Sequence, residues 1–136
     1  MKKVTIENYK KDSLYPKVVK ASARALKGRN EFTVVEIMVE MGNIIPKDLA
    51  RWEKGQVEYL ECIFQGSLSK ANRILRIFNF HAHDLDMIKI DKKTKNHNKR
   101  FTKSGKLDLE SMYSVCYRWN KSDGKKGLYI QGILGA

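Results

Sequence analysis

Four cations at helical spacing lie near the start of the chain. Lys17, Lys20, Arg24 and Lys27 follow one another at intervals of three, four and three residues, and no acidic residue lies between them. Residues at these intervals share one face of an α-helix. A row of positive charges of this kind can bind successive phosphates of a nucleic acid. The alternative is an ordinary solvated helix face, although such a face usually carries charges of both signs.

A second row of the same spacing combines cations with an aromatic ring. Arg73, Arg76, Phe80 and His83 are separated by three, four and three residues. A guanidinium can bind a phosphate through two hydrogen bonds, and a phenyl ring can stack on an unpaired base. In the alternative interpretation Phe80 packs beneath a β-hairpin, and the arginines pair with acidic side chains. The acidic candidates are Glu58, Glu61 and Asp84.

The densest run of charge covers residues 89–106, where eight cations stand against one acid, Asp91. A loop of this composition can neutralise a phosphate backbone without reading its sequence. It can equally be a solvated loop with no ligand. The cations in it that we predict to contact phosphates are Lys92, Lys93, Lys95, Lys99, Arg100 and Lys103.

One short segment, His81-Ala-His83-Asp84, resembles a set of metal ligands, with His97 further along the chain. On a helix, however, His81 and His83 lie about 200° apart and do not reach one ion, whereas on a strand they face the same way. We therefore predict no metal site and place His81 in the core. A metal-dependent hydrolase that uses His81, His83 and Asp84 remains the third functional hypothesis.

The sequence has no motif of a known catalytic or cofactor site. It contains no P-loop, no GxGxxG and no nucleophile elbow, so nothing in it indicates a catalytic residue or a cofactor. Cys62 and Cys116 have no CxxC spacing and are predicted to be small buried side chains. An enzyme is less favoured than a binding protein.

Composition excludes several classes of protein. The chain has 136 residues, a formal net charge of +12 and 42% hydrophobic residues, which is too apolar for a disordered protein. No apolar run approaches the ~18–20 residues of a membrane span, and no signal peptide is evident. We predict a soluble cytoplasmic protein that does not bind membranes.

The positive charge is concentrated at the two ends of the sequence. Residues 1–29 carry +7 and residues 89–136 carry +8, whereas residues 30–66 carry −4. If both ends meet on one face of the fold, the electric field there attracts polyanions. The acidic middle could instead dock on the basic ends and mask them.

Hydrophobic periodicity and capping residues predict five helices before residue 85. They run from 15 to 28, from 33 to 42, from 46 to 55, from 57 to 65, and from 67 or 69 to 84. Beyond them we predict a hairpin of strands 87–90 and 99–103, a last helix from about Asp108 through Trp119, and a basic turn at 121–127. Residues 128–130 are predicted as a third strand or a docked extension.

These elements predict one α+β domain, mostly α-helical, covering residues 1–136. It is a compact bundle of five or six helices with a small antiparallel hairpin or three-stranded sheet near the C-terminus. The helical part covers about 13–84, and the smaller part of strands and helix covers about 85–136.

Residues from Met38 to Gly55 resemble the helix-turn-helix of small bacterial regulators. The first helix ends at Gly42, the second begins near Pro46, and Leu49 and Trp52 form its core pair. The resemblance implies DNA binding through the second helix. Two features depart from it. The turn is one residue longer than usual, and acids alternate with cations on the second helix at positions 47, 48, 51, 53 and 54.

Over a longer stretch, from Tyr15 to Tyr113, the sequence resembles a group of small bacterial proteins of unassigned function. The segments that carry the resemblance are 52–66, 73–76, 81–83 and 100–105. It implies an α-rich bacterial domain and no particular activity.

The favoured hypothesis is a non-catalytic protein that binds DNA or RNA through its basic helix faces and its lysine-rich loop. The second hypothesis is a protein-interaction module, for example a partner of an acidic protein, in which the acidic helices face another surface. The sequence leaves open the strand type, the sequence specificity and the oligomeric state.

Overall fold

The computed structural model describes residues 4–90 and 100–135 and has an α+β, mostly helical fold. The helices in these ranges are α1 (Tyr15–Leu26), α2 (Val34–Glu40), α3 (Pro46–Glu53), α4 (Leu68–Asp84), α5 (Leu107–Ser114) and α6 (Asp123–Leu134). The strands are β1 (Glu31–Thr33), β2 (Ile88–Ile90) and β3 (Cys116–Arg118). Short 3-10 turns occur at Tyr9–Lys11 and Leu60–Cys62. None of the helices in the ranges described is both long and apolar enough to cross a membrane.

Four of the five helices predicted before residue 85 form, as α1, α2, α3 and α4. Thr33 and Glu36 form a reciprocal capping box at the start of α2, with the Thr33 N–H donating to Glu36 Oε1 at 3.1 Å. Prolines occupy the first turns of α1 and α3. Ser67, rather than Ser69, caps α4 by accepting a hydrogen bond from the Lys70 N–H at 3.1 Å.

Helix α4 lies at the centre of the hydrophobic core. Its side chains Ile74, Leu75, Ile77 and Phe78 are at most 1% exposed. The Phe78 ring contacts rings of two strands, with centroids 5.6 Å from Phe32 and 5.4 Å from Tyr117. Helix α1 packs on α2, α4 and α6, and one cluster of buried side chains reaches from Val4 to Trp119.

The three strands form an antiparallel sheet in the order β1-β3-β2. Phe32 pairs with Tyr117, and Lys89 pairs with the same residue from the other side. Strand β2 agrees with the predicted strand at 87–90, but its predicted partner at 99–103 is wrong. The described part of that segment makes an isolated parallel bridge, Arg100 with Tyr59, and the carboxylate of Glu110 accepts the N–H groups of Phe101 and Thr102 at 3.0 and 2.7 Å.

The prediction of a helix at 57–65 is also wrong, because carbonyl groups of a distant segment accept hydrogen bonds from its backbone N–H groups. The N–H groups of Leu60 and Glu61 donate to the carbonyls of Arg100 and Phe101 at 3.1 and 3.0 Å. One 3-10 turn, Leu60–Cys62, is all that forms there. Cys62 is consequently exposed rather than buried, whereas Cys116 is buried as predicted.

The C-terminal part differs most from the predicted elements. Helix α5 ends at Ser114, and the chain then enters β3 instead of continuing as helix to Trp119. The Trp119 N–H extends the sheet contact by donating to the Asn30 carbonyl at 2.8 Å. Helix α6 replaces the predicted turn at 121–127 and the strand alternative for 128–130, and it packs on α1 as a docked extension would. Ser122 caps it by accepting from the Lys125 N–H at 3.2 Å.

Candidate nucleic-acid interface

The face of α1 formed by Lys17, Lys20, Arg24 and Lys27, here called the α1 basic face, is fully presented to solvent. All four residues are exposed, and every other residue from Val18 to Leu26 is buried. Helical periodicity alone places the cations outward, because the apolar positions between them face α2, α4 and α6. The solvent side of this helix beyond Pro16 is therefore entirely cationic.

The α1 basic face has the length of several phosphates. Lys27 is ten positions after Lys17, which corresponds to about 15 Å along the helix axis at ~1.5 Å per residue. One strand of a duplex carries a phosphate about every 3.4 Å along its axis, so about four phosphates fit within this length.

The acidic side chains of the fold do not neutralise the α1 basic face. Within residues 4–90 and 100–135, none of its four side chains forms an ion pair or a side-chain hydrogen bond. The acids of the 30–66 segment pair elsewhere: Glu36 with Arg29, and Glu31 with Arg118 at 2.7 Å. These two acids are thus bound to other cations, and the α1 basic face has no acidic partner among the described residues.

Helix α6 brings the second basic end of the chain against the first. Lys126 Nζ donates to the Arg29 carbonyl at 2.9 Å and to Asn30 Oδ1 at 2.8 Å, just beyond the C-terminal end of α1. Tyr129 lies further back along α1, with its hydroxyl 3.5 Å from the Val19 carbonyl, so α6 runs antiparallel to α1. Sequence reasoning omitted Lys125 and Lys126 from the candidate residues, although the basic run at 121–127 was the signal for them.

Lys125 extends the cationic surface beyond Lys27. It is exposed in the first turn of α6, next to Lys126, which bridges to the end of α1. Lys126 itself is half-buried because its ammonium group is held by the Arg29 and Asn30 oxygens. The exposed cation that α6 adds to the surface is therefore Lys125.

Arg73 is bound to an acid that the sequence argument did not consider. Its guanidinium donates to both carboxylate oxygens of Asp12, at 2.9 and 2.5 Å, and to Ser13 Oγ at 3.3 Å. Hydrogen bonding to this guanidinium lowers the pKa of Asp12, and burial opposes that effect only in part. Arg73 thus fastens the N-terminal segment to α4, and its guanidinium is already occupied by a carboxylate.

The other members of the second row have different surroundings. Arg76 is half-buried and has no ion-pair partner in the part of the chain that the structure describes. The ring of Phe80 is half-buried against Tyr9, at 5.3 Å between centroids, instead of beneath a hairpin. His83 is exposed. The row is therefore not one continuous exposed cationic face.

Two of the predicted phosphate contacts in the lysine-rich segment, Arg100 and Lys103, fall in the described residues. The Arg100 guanidinium donates to the carbonyl of Lys103 at 2.6 Å and lies over the ring of Tyr59 at 5.9 Å, so it closes a turn. Lys103 is exposed, and its N–H donates to Glu61 Oε1 at 2.8 Å. The predicted contacts Lys92, Lys93, Lys95 and Lys99, together with His97, lie outside the described residues.

The two histidines of the possible metal group lie in different environments. His81 is 4% exposed, and its Nε2 is 2.7 Å from the Tyr129 hydroxyl. Burial lowers the pKa of His81 to about 4, against a smaller opposing effect of Asp84. His83 is exposed one position from the end of α4. In residues 4–90 and 100–135, no group of three or more histidine, cysteine or acidic side chains could hold a metal ion.

The segment that resembles a helix-turn-helix contains the end of α2 and the whole of α3. Trp52 is buried and Leu49 is half-buried. The Trp52 Nε1–H donates to the Arg100 carbonyl at 2.9 Å, which connects α3 to the C-terminal half. On the outer side of α3, Arg51 is 3.5 Å from Asp48, whereas Lys47 and Lys54 are exposed. This helix presents charges of both signs.

Comparison with protein-family models, with curated proteins and with solved structures finds no match to this chain. Both resemblances, over residues 38–55 and 15–113, stay predictions. Function has to be inferred from the surfaces that the fold exposes.

Proposed function

We propose that this protein binds nucleic acid without catalysing a reaction and that the α1 basic face provides its principal phosphate contacts. The observation that carries the proposal is that every exposed position from Lys17 to Lys27 is a lysine or an arginine, with no acidic partner among the described residues. A face that served only for solubility would carry acids as well, since acids interspersed with cations reduce repulsion along a helix.

Neighbouring cations enlarge this surface. Lys125 adds a charge at the C-terminal end of α1, and Lys10 and Lys11 lie before its N-terminal end. Contacts of this type position a nucleic acid without reading its sequence. The lysines at 92, 93, 95 and 99 belong to the same proposal as further phosphate contacts. A cytoplasmic location, where DNA and RNA are both accessible, is also part of it.

The proposal sets the salt dependence of binding. Each neutralised phosphate contributes about 0.7 to the slope of log affinity against log salt for a single strand and about 0.9 for a duplex. The four cations of the α1 basic face alone then give a slope of about −3 to −4. Affinity should fall roughly 50- to 150-fold between ~50 and ~200 mM salt, and further cations steepen this dependence.

A pair of charge-reversed variants tests the assignment by fluorescence anisotropy with labelled single-stranded RNA, single-stranded DNA and duplex DNA. Lys20→Glu with Arg24→Glu removes two contacts, which weakens binding by roughly 25- to 60-fold at ~100 mM salt. It also makes the slope of log affinity against log salt less steep by about 1.5. The matched control is Lys47→Glu with Lys54→Glu on α3, which changes the net charge by the same amount.

The two variants separate three explanations. Loss in the α1 variant with little change in the α3 variant supports the proposal. Equal loss in both means that affinity follows net charge alone, and loss confined to the α3 variant assigns binding to the helix-turn-helix-like segment. Absence of binding by the unaltered protein at ~50 mM salt refutes nucleic-acid binding and directs attention to an acidic protein partner.

A further inference from the structure

A cleft of about 430 Å³ lies between the N-terminal segment and the last turns of α4. Its aromatic wall is formed by Tyr9 and Phe80, whose rings are inclined by 35° with centroids 5.3 Å apart. Tyr9 is buried, whereas Phe80 is only half-buried and keeps part of its ring accessible. The volume falls within the range of ~300–1,000 Å³ that is usual for small-molecule sites.

The polar groups that line the cleft are of both signs. Lys10, Lys11 and His83 are exposed there, together with the carboxylates of Glu7 and Asp84. Lys10 Nζ and Asp84 Oδ2 are 3.9 Å apart, and their side chains are 58% and 55% exposed. A pair this exposed is weak, so a ligand can exchange for either partner.

This mixture of charges selects the kind of group that enters the cleft. The carboxylates of Glu7 and Asp84 repel a phosphate, but they can accept the N–H groups at the edge of a nucleobase. The accessible part of Phe80 offers a surface on which a flat ring can stack. The lysines can hold a phosphate that follows or precedes such a base.

The cleft lies beside the N-terminal end of α1. Tyr9 contacts Tyr15 edge to face, with ring centroids 5.7 Å apart, and Tyr15 is the first residue of α1. Lys17, the first cation of the face, is two residues further along. Tyr15 and Lys17 lie about 200° apart around the axis of α1, so a strand on the α1 basic face passes around the N-terminal end of the helix to reach Lys10, Lys11 and the mouth of the cleft.

We propose that this cleft binds one unpaired base of a single-stranded nucleic acid, with the base against Phe80 and its adjoining phosphate beside Lys10 and Lys11. The inference rests on the proposed function and adds to it a preference for single strands. In a duplex the bases are paired and stacked, so none is available to enter the cleft.

The first test uses the unaltered protein and two single strands of equal length, one intact and one made of abasic nucleotides. Both carry the same phosphates, so their salt slopes should be similar. We expect the intact strand to bind roughly 5- to 150-fold more tightly, which is the range observed for stacking of one base on an aromatic side chain. A fluorescent adenine analogue in the strand should also show quenching on binding.

The second test assigns the preference to this cleft. Phe80→Leu keeps an apolar side chain and removes the stacking surface, so it should abolish most of the intact-over-abasic preference while leaving the salt slope unchanged. The matched control is Phe101→Leu, another half-buried ring, which stacks on Tyr113 elsewhere in the fold. Circular dichroism confirms that each variant is folded.

The outcomes distinguish this inference from the proposed function. Equal affinity for intact and abasic strands, with the salt dependence retained, overturns the base site and leaves phosphate binding by α1 intact. A preference that persists in Phe80→Leu also overturns it, because the stacking surface then lies elsewhere. Failure of the unaltered protein to bind either strand refutes the proposed function and the base site together.

Discussion

The buried histidine beneath α6 makes the stability of this protein depend on pH. His81 is almost fully buried, and its imidazole Nε2 is 2.7 Å from the hydroxyl of Tyr129 on α6. Its Nδ1 is buried without a hydrogen-bond partner among the described residues. A proton added to this ring would place a charge in an environment that solvates it poorly.

The pKa of His81 determines the size and sign of the effect. Burial lowers the pKa to about 4 from its ordinary value of 6.5. The unfolded chain therefore binds a proton near pH 6.5 that the folded protein does not bind until about pH 4. Because the unfolded state holds more protons in this interval, stability decreases as the pH falls through it, by about 1.4 kcal/mol per unit and about 3 kcal/mol in total. Above pH 6.5 this contribution does not change with pH.

Urea unfolding at pH 7.5, 6.5, 5.5 and 4.5 measures this dependence. The variant His81→Leu removes the titrating group, so its free energy of unfolding should lack the ~1.4 kcal/mol per unit component that the unaltered protein shows. The matched control is His83→Leu, which removes an exposed histidine two residues further along α4 and should retain the component. Identical pH profiles for His81→Leu and the unaltered protein would refute the reasoning.

Two further predictions concern contacts between distant parts of the chain. Asp12→Asn removes the charged, two-point bond to Arg73 and should lower the free energy of unfolding at pH 7 by about 1.5–3 kcal/mol, measured in urea. Because the pKa of Asp12 is lowered in the fold, its contribution is present above pH ~4 and is lost as the pH falls through the lowered pKa, so an unchanged difference at low pH would contradict it. Trp52→Phe removes the Nε1–H bond to the Arg100 carbonyl and leaves a small cavity, at a cost of about 1–3 kcal/mol in the same assay. A cost below ~0.5 kcal/mol would show that this bond does not hold α3 to the C-terminal half.

In the candidate site, local spacing predicted which residues share a helix face, whereas it did not predict their distant partners. The spacing of Lys17, Lys20, Arg24 and Lys27 placed them correctly on one exposed face, since helical geometry fixes that arrangement. The spacing of Arg73 and Phe80 predicted which face of the helix they share, but it did not predict which residues contact them. Their partners, Asp12 and Tyr9, come from a segment about sixty to seventy residues earlier in the sequence, and no periodicity connects the two.

Helices whose signals lie within about four residues were predictable from the sequence. The capping box of Thr33 and Glu36 and the cap at Ser67 depend on contacts inside one turn, so they act in any tertiary context. The apolar periodicity of α4 marks the face that the helix buries. The overall class, mostly helical with a small antiparallel sheet, followed from these elements.

Only the tertiary structure decided the secondary structure of segments whose backbone groups form hydrogen bonds with residues far away in the sequence. Leu60 and Glu61 lose their helix because their N–H groups reach Arg100 and Phe101, forty residues away. Residues 116–118 have a helical pattern of apolar residues but form strand β3, which pairs with β1 on one side and with β2 on the other. Helix α6 becomes stable by packing on α1, although its glycines indicated a turn. Hydrogen-bond satisfaction and burial at these places outweigh local propensity, which amounts to less than ~1 kcal/mol per residue for most side chains.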